Sequence, residues 1–84
     1  MKLYSVRDVK AAVFNNPFAQ QSDGAAIRGF QQEVNRVDPN NMINLYPSDF
    51  SLYCTGEFDP DTGTIVSLPQ PALVVEAVSL LLQA

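Results

Sequence analysis

Residues 50–68 read FSLYCTGEFDPDTGTIVSL and predict a β-hairpin around which the rest of the chain is organised. Residues 50–58 and 64–68 are rich in aromatic and β-branched side chains, which is typical of strands. Residues 59–63 (DPDTG) have turn chemistry, because proline presets φ, aspartate bonds nearby backbone and glycine accepts positive φ. In the first strand, Leu52 and the following even-numbered positions should share one face of a sheet, and Tyr53 and the odd-numbered positions the other.

Three further extended segments are predicted outside this hairpin. Residues 3–7 and 9–14 read as strands that pair with each other through a bend at residues 7–8. The Asn-Asn-Pro sequence at 15–17 should end the second strand, since proline cannot donate to a ladder. Residues 72–77 are apolar and β-branched and read as a last strand, separated from the hairpin by two prolines.

One helix is predicted over residues 25–36, with Ser22 or Asp23 as its N-cap. Gly29 lies inside it and costs about 1 kcal/mol relative to alanine, so we expect the helix to approach the sheet closely there. Residues 37–50 should form an irregular crossing with one helical turn at its end. The apolar stripe of the helix consists of Ala26, Ile27, Phe30 and Val34.

Together these segments predict an α+β fold, with a small antiparallel sheet of four to five strands and one helix packed on one face. The 84 residues form a single domain, whose core we place at about residues 2–77, with 78–84 as an apolar C-terminal tail. Residues 73–82 carry one charge in ten. We expect a homodimer that uses part of this segment; the alternative is a strand satisfied wholly within the chain.

The composition excludes several kinds of chemistry. The chain has no histidine, so Ser-His-Asp and Cys-His catalysis and mixed Cys/His zinc sites are absent from it. Its one cysteine, Cys54, cannot close an intrachain disulfide, which favours a reducing compartment and a buried, inert thiol. The 59–63 turn lacks the later ligands of a calcium loop, and no glycine-rich phosphate loop exists. We therefore expect no enzyme activity, cofactor or metal, and no apolar run is long enough to predict a membrane partner.

The charges are unevenly distributed along the chain. Residues 1–36 hold all five bases against three acids, a balance of +2, whereas residues 37–84 hold six acids and no base. Aromatic side chains lie between the bases, as expected of a surface that binds single-stranded nucleic acid. The alternative is a dispersed surface, which the net charge of −4 favours. The candidate nucleic-acid-binding residues are Lys2, Tyr4, Arg7, Lys10, Phe18, Arg28 and Arg36.

Several segments, in this order, resemble the small nonstructural protein of gokushoviruses, which are single-stranded-DNA phages of the microvirus group. They are KLYSVRDVKA at 2–11, NPF at 16–18, GAAIRGF at 24–30, YPSDF at 46–50 and GEFD at 56–59. The resemblance implies a protein made in the cytoplasm of the infected bacterium and largely absent from the capsid. It also implies DNA binding, or assistance in the switch to single-strand synthesis and packaging, and it supplies no catalytic residues.

The leading hypothesis is a non-enzymatic phage accessory protein that binds single-stranded DNA during genome synthesis or packaging. The alternative is a protein–protein adaptor or regulator that contacts replication, capsid or host proteins and does not bind DNA.

Overall fold

The protein is an antiparallel sheet with one long helix on one face, as the sequence predicts. The computed structural model describes residues 1–82. Across the sheet the strand order is β2-β1-β4-β5, and β3 pairs with β1 on the same side as β2. The strands in this range are β1 (Lys2–Asp8), β2 (Val13–Phe14), β3 (Phe18–Gln20), β4 (Phe50–Asp59) and β5 (Thr64–Glu76).

The β4–β5 hairpin forms as predicted as far as Leu68, the residue before the first proline. Gly63 takes a φ of 73° and its N–H donates to the Asp59 carbonyl at 2.8 Å, as the turn chemistry requires. The prediction of two separate strands over 64–68 and 72–77 is wrong, because β5 is one strand with a wide bulge. Residues 68–71 lie opposite Thr55 alone. An edge strand tolerates prolines and bulges, since its outer side needs no donors.

The predicted strand at 9–14 is confirmed only for its last two residues, which form β2. The Asp8 carboxylate accepts from the backbone N–H groups of Lys10 and Ala11, and Ala12 takes a φ of 59°. This local turn replaces the first half of the predicted strand. β3 was not predicted, and it pairs with the first half of β1.

The helix α1 (Asp23–Asn35) begins where the cap was predicted. The Ser22 hydroxyl accepts from the N–H of Ala25 at 3.2 Å. The apolar stripe of α1 packs on the face of the sheet that carries the even-numbered residues of β1 and, before a bulge at Thr55, those of residues 50–54 in β4. Buried apolar residues of this core are Tyr4, Val6, Ala26, Phe30, Val34, Phe50, Leu52 and Ala77.

A close backbone approach that requires glycine occurs at Gly56 of β4 and not, as predicted, at Gly29 of α1. A Cβ built on Gly29 meets nothing within 4 Å, so the expectation for that residue is wrong. At Gly56, a Cβ would lie 2.3 Å from the Val66 carbonyl oxygen. Glycine is therefore required at this position of β4, opposite the backbone of Val66 and Ser67 in β5. Cys54, two residues before it, is half-buried and packs against the core, rather than being fully buried as predicted.

The segments flanking the sheet complete the core. The crossing from α1 to β4 contains a short helix, α2 (Met42–Leu45), and a 3-10 turn at Pro47–Asp49. After β5, a 3-10 turn at Ala77–Leu80 returns to α1, where Asn35 donates from Nδ2 to the Leu80 carbonyl at 3.0 Å. The core thus extends beyond the predicted limit at residue 77, while residues 83–84 of the predicted tail lie outside the described residues. Within residues 1–82, no helix is long and apolar enough to cross a membrane.

Candidate nucleic-acid interface

Lys2 and Tyr4, two of the predicted DNA-binding residues, lie on the helix-covered face of the sheet. Tyr4 has no accessible surface, and its hydroxyl donates to Asp23 Oδ1 at 2.6 Å. Lys2 Nζ donates to the same oxygen at 3.2 Å. The Tyr4 ring is stacked on Phe18 with centroids 5.9 Å apart, and Phe18 packs against the core. The expectation of Tyr4 as an accessible stacking ring is therefore wrong, and Phe18 is only partly available.

The bond between Tyr4 and Asp23 shifts the pKa of both groups. Burial, and then the hydrogen bond to Asp23, raises the pKa of Tyr4 well above its ordinary value. The hydrogen bond from Tyr4, and then that from Lys2, lowers the pKa of Asp23 below its ordinary value of 3.8. The contribution of Asp23 to stability is therefore complete above that value and is lost as pH falls through the lower pKa of the folded state.

We expect Tyr4→Phe to raise the pKa of Asp23 toward its ordinary value, because the first of the two hydrogen bonds to its carboxylate is removed. Acid unfolding should then depend less on this group. The measurement is an NMR titration of the side-chain carboxyl carbons in both proteins. Tyr46→Phe, on an exposed ring, is the control and should leave Asp23 unchanged. An equal Asp23 pKa in wild type and Tyr4→Phe would contradict the assignment.

Arg36 is held in a cluster of charges at the C-terminal end of α1. Its guanidinium donates to both carboxylate oxygens of Glu33, the shortest contact being 2.6 Å, and to Asp38 at 2.9 Å. The hydrogen bonds with Glu33, and then with Asp38, raise the pKa of Arg36, and the bond from Arg36 lowers the pKa of Glu33. The pKa of Asp38 is lowered first by the hydrogen bond from the Asn40 backbone and then by that from Arg36. With two carboxylates around one guanidinium, this cluster has a local charge of −1 and repels phosphate. The prediction of Arg36 as a DNA contact is not supported by its surroundings.

The remaining predicted cations lie in three different places. Arg28 is exposed and two residues from both Ala26 and Phe30, which are buried, so it points away from the sheet. Lys10 lies in the turn after β1 and lines an apolar groove of about 350 Å³. Arg7 lies on the face of β1 opposite to that of Tyr4. The five cations therefore do not converge on one surface.

The sheet face away from α1 nevertheless carries one cation together with aromatic rings. Arg7 is paired with Phe14 across β1 and β2, and its guanidinium carbon lies 4.9 Å from the centroid of the Phe14 ring. Tyr53 of β4 meets Phe14 edge-on, with centroids 5.4 Å apart and an interplanar angle of 76°. The Phe14 side chain is 41% exposed. We call these three residues the Arg7–Phe14–Tyr53 cluster.

Arg7 was predicted from the sequence, whereas its proximity to Tyr53 was not. Ser5 is opposite Tyr53 and Arg7 is opposite Ser51, so both Arg7 and Tyr53 lie on the same face. The alternation along β4 is confirmed for residues 50–54, but a bulge at Thr55 reverses it, since Tyr4 is opposite Cys54 whereas Leu3 is opposite Gly56. Nothing in the sequence gives this bulge or the register between β1 and β4. Within residues 1–82 the salt bridges involve Lys2 and Arg36, which leaves the guanidinium of Arg7 available for a phosphate or a base.

The cluster has the chemistry of a stacking platform. A guanidinium over a ring is held by cation–π attraction and presents its own flat surface to a base. Unpaired bases stack on exposed rings irrespective of their sequence, because every base has a π-face. The geometry thus allows one or two bases to be held beside one phosphate contact.

The fold defines a small α+β domain in which, over residues 1–82, the main helix lies on the sheet face opposite to this cluster. The sequence comparisons identify its kind more closely: residues 1–80 match the family described as Phage ORF5 protein, and the chain belongs to that family. It is similar to Protein ORF5 of Chlamydia phage 1, with 37% identity over 65 residues that cover 75% of this chain and 68% of the relative. These matches confirm the resemblance to a small gokushovirus protein. No solved structure matches the chain.

Proposed function

We propose that this phage protein is a non-enzymatic accessory factor that binds single-stranded DNA through the Arg7–Phe14–Tyr53 cluster. The observation that carries the proposal is the placement of a guanidinium and two rings together on the sheet face opposite to α1. Such binding would take place in the cytoplasm of the infected bacterium, where single strands are exposed during genome synthesis or packaging.

The charges of the chain determine what kind of DNA binding is reasonable. Stacking contributes about 1–3 kcal/mol per base, whereas the number of phosphate contacts is limited by the scattered cations. The net charge of −4 also opposes a long basic track. The proposed mode is therefore stacking on a few unpaired bases, with a weak dependence on salt and a preference for single strands over duplex.

The proposal predicts that substitutions in the cluster weaken binding of a fluorescein-labelled 30-mer of thymidine, measured by anisotropy at about 50 mM salt. Phe14→Leu keeps an apolar side chain but loses the ring, and should weaken binding by about fivefold or more. Arg7→Gln should weaken binding and reduce the slope of log K against log salt by about 0.7, since one phosphate contact is lost.

Arg28→Gln is the matched control, because it removes the same charge from the outward side of α1. We expect its affinity to stay within about twofold of wild type, since a solvated charge remote from the cluster contributes little. Equal losses for Arg7→Gln and Arg28→Gln would mean diffuse electrostatics rather than a site. No binding by the wild type at high micromolar protein would overturn the proposal.

A second candidate function is the protein–protein adaptor, which one observation favours. The groove beside Lys10 is lined by Met42, Tyr46 and Phe50, and the first two of these are 52% and 56% exposed. Exposed apolar surface of this kind is typical of sites that bind other proteins. The same DNA titration separates the two candidates: an adaptor would leave the 30-mer unbound while binding the purified replication or capsid protein of the phage.

A further inference from the structure

Within residues 1–82, no strand pairs with the outer side of β5 between residues 64 and 68. β5 is the last strand in the sheet order, and Ile65 and Val66 are 63% and 68% exposed. From residue 64 to residue 75 the strand carries no charged side chain, although exposed edges are usually protected by lysine or other charges. The edge strand itself therefore places no charge against a partner strand, and the acids nearest to it, Glu57 and Asp59, lie one strand further in, on β4.

The backbone contacts of β4 show which groups of this edge are free. The N–H and carbonyl of Phe58 are both bonded to Met1, at 2.8 and 3.0 Å, on the side away from β5. Ile65 is opposite Phe58, so the two form a non-hydrogen-bonded pair and the N–H and carbonyl of Ile65 point outward. By the alternation of antiparallel pairing, those of Ser67 also point outward.

The free edge is short because of the prolines. The next residue whose N–H would point outward is Pro69, which has none. On the other side, the turn at residues 60–63 ends the strand. Outward donors are therefore available at Ile65 and Ser67, and the pairing segment is limited to about five residues.

We propose that a second copy of this chain pairs with this edge, antiparallel and about a two-fold axis at Val66. Ile65 would then exchange hydrogen bonds with the partner's Ser67, and Ser67 with the partner's Ile65, giving about four bonds in all. Val66 would face the partner's Val66 as a close, non-hydrogen-bonded apolar pair. The segment is thus complementary to itself, which is what a two-fold interface requires.

The charges and the opposite edge of the sheet favour a closed dimer. In the antiparallel arrangement, the two copies of Asp61 in the turns lie about 34 Å apart, at about 3.4 Å per residue. Glu57, which is opposite Val66 on β4, is the acid nearest the axis, and its two copies lie about 14 Å apart, at about 4.8 Å per strand. Both distances exceed the screening length of about 10 Å at 0.1 M salt. The other edge consists of β2 and β3, with two and three residues. An edge that short offers no place for a second β5, so pairing stops at two copies.

We expect a weak dimer, formed through the edge at Val66 rather than through residues 73–82 as predicted from the sequence. A stable interface buries about 800 Å² per partner, whereas this edge offers Ile65, Val66 and Leu68. We expect a dissociation constant on the order of tens of micromolar. In the 73–82 segment, Val74, Val75 and Leu80 pack against the core of their own chain, whereas Leu73, Val78, Leu81 and Leu82 are exposed. A dimer through those exposed side chains is the competing arrangement, and a substitution at Val66 would not weaken it.

Sedimentation velocity over a concentration series tests the proposal without DNA, so its result is independent of the proposed function. Wild type should pass from monomer to dimer, and Val66→Lys should raise the dissociation constant at least tenfold, because two ammonium groups would face each other across the axis. Val37→Lys is the matched control, since Val37 is 88% exposed in the loop after α1. It should dimerise like wild type, and circular dichroism should show that both variants are folded.

Disulfide trapping gives a second measurement for a weak dimer. In a Cys54→Ser background, Val66→Cys should form a covalent dimer rapidly under mild oxidation, since Cα atoms of a non-hydrogen-bonded pair lie close enough for a disulfide. Val37→Cys should cross-link only slowly. A wild type that stays monomeric at several hundred micromolar, equal cross-linking of the two cysteine variants, or dimerisation that Val66→Lys does not weaken would each overturn the proposal.

Discussion

Replacing Gly56 with alanine should destabilise the protein by about 3 kcal/mol or more, at the upper end of the usual cost of overpacking. The added Cβ would lie 2.3 Å from the Val66 carbonyl oxygen and 3.1 Å from the Cα of Ser67. Both are backbone atoms of the paired strand, so no side chain can rotate away to make room. Relief requires β4 and β5 to separate at the point where their register shifts.

Thermal unfolding followed by circular dichroism measures this effect. A loss of 3 kcal/mol corresponds to a fall in Tm of about 12–24 °C for a domain of this size. Gly29→Ala is the matched control, because a Cβ at that helical position meets nothing within 4 Å. It should raise stability by about 1 kcal/mol. A Gly56→Ala protein as stable as wild type would show that the strands are further apart than described.

Asn41→Ala should cost about 2–4 kcal/mol, because one nearly buried side chain joins two helices. Its Nδ2 donates to the carbonyls of Glu33 and Arg36 at 2.8 and 2.9 Å, at the C-terminal end of α1. Its Oδ1 accepts from the N–H of Ile43 at the start of α2. Each buried group that loses its partner costs about 1–3 kcal/mol, and alanine can replace none of these bonds.

Urea unfolding of Asn41→Ala and Asn40→Ala provides the comparison. Asn40 is exposed and bonds to Asp38 through its backbone N–H, so its truncation should change stability by less than about 0.5 kcal/mol. Asn41→Asp keeps the acceptor for Ile43 but loses both donors, and should be at least as destabilised as Asn41→Ala. Equal midpoints for Asn41→Ala and Asn40→Ala would mean that water replaces the amide at no cost.

The candidate site was predicted less well than the fold, because side-chain chemistry and side-chain position are separate properties. Tyr4 was predicted for its ring, but that ring fills the space under α1 and its hydroxyl donates to Asp23. Arg36 was predicted for its charge, which the two carboxylates of Glu33 and Asp38 outweigh locally. Tyr53 lies in the candidate cluster but was not predicted, since its neighbours come from strands distant in sequence.

The sequence by itself determined the local structure of this protein: the DPDTG turn, the Ser22 cap, the apolar stripe of α1 and hence an α+β fold. These features follow from backbone preferences and hydrophobic periodicity within a few residues. Tertiary structure decided the register of β1 on β4, the continuation of β5 past its two prolines as one strand, and the separation of the cations. Each of these depends on which distant residues lie opposite one another, and that is fixed by packing of the whole core rather than by any local preference.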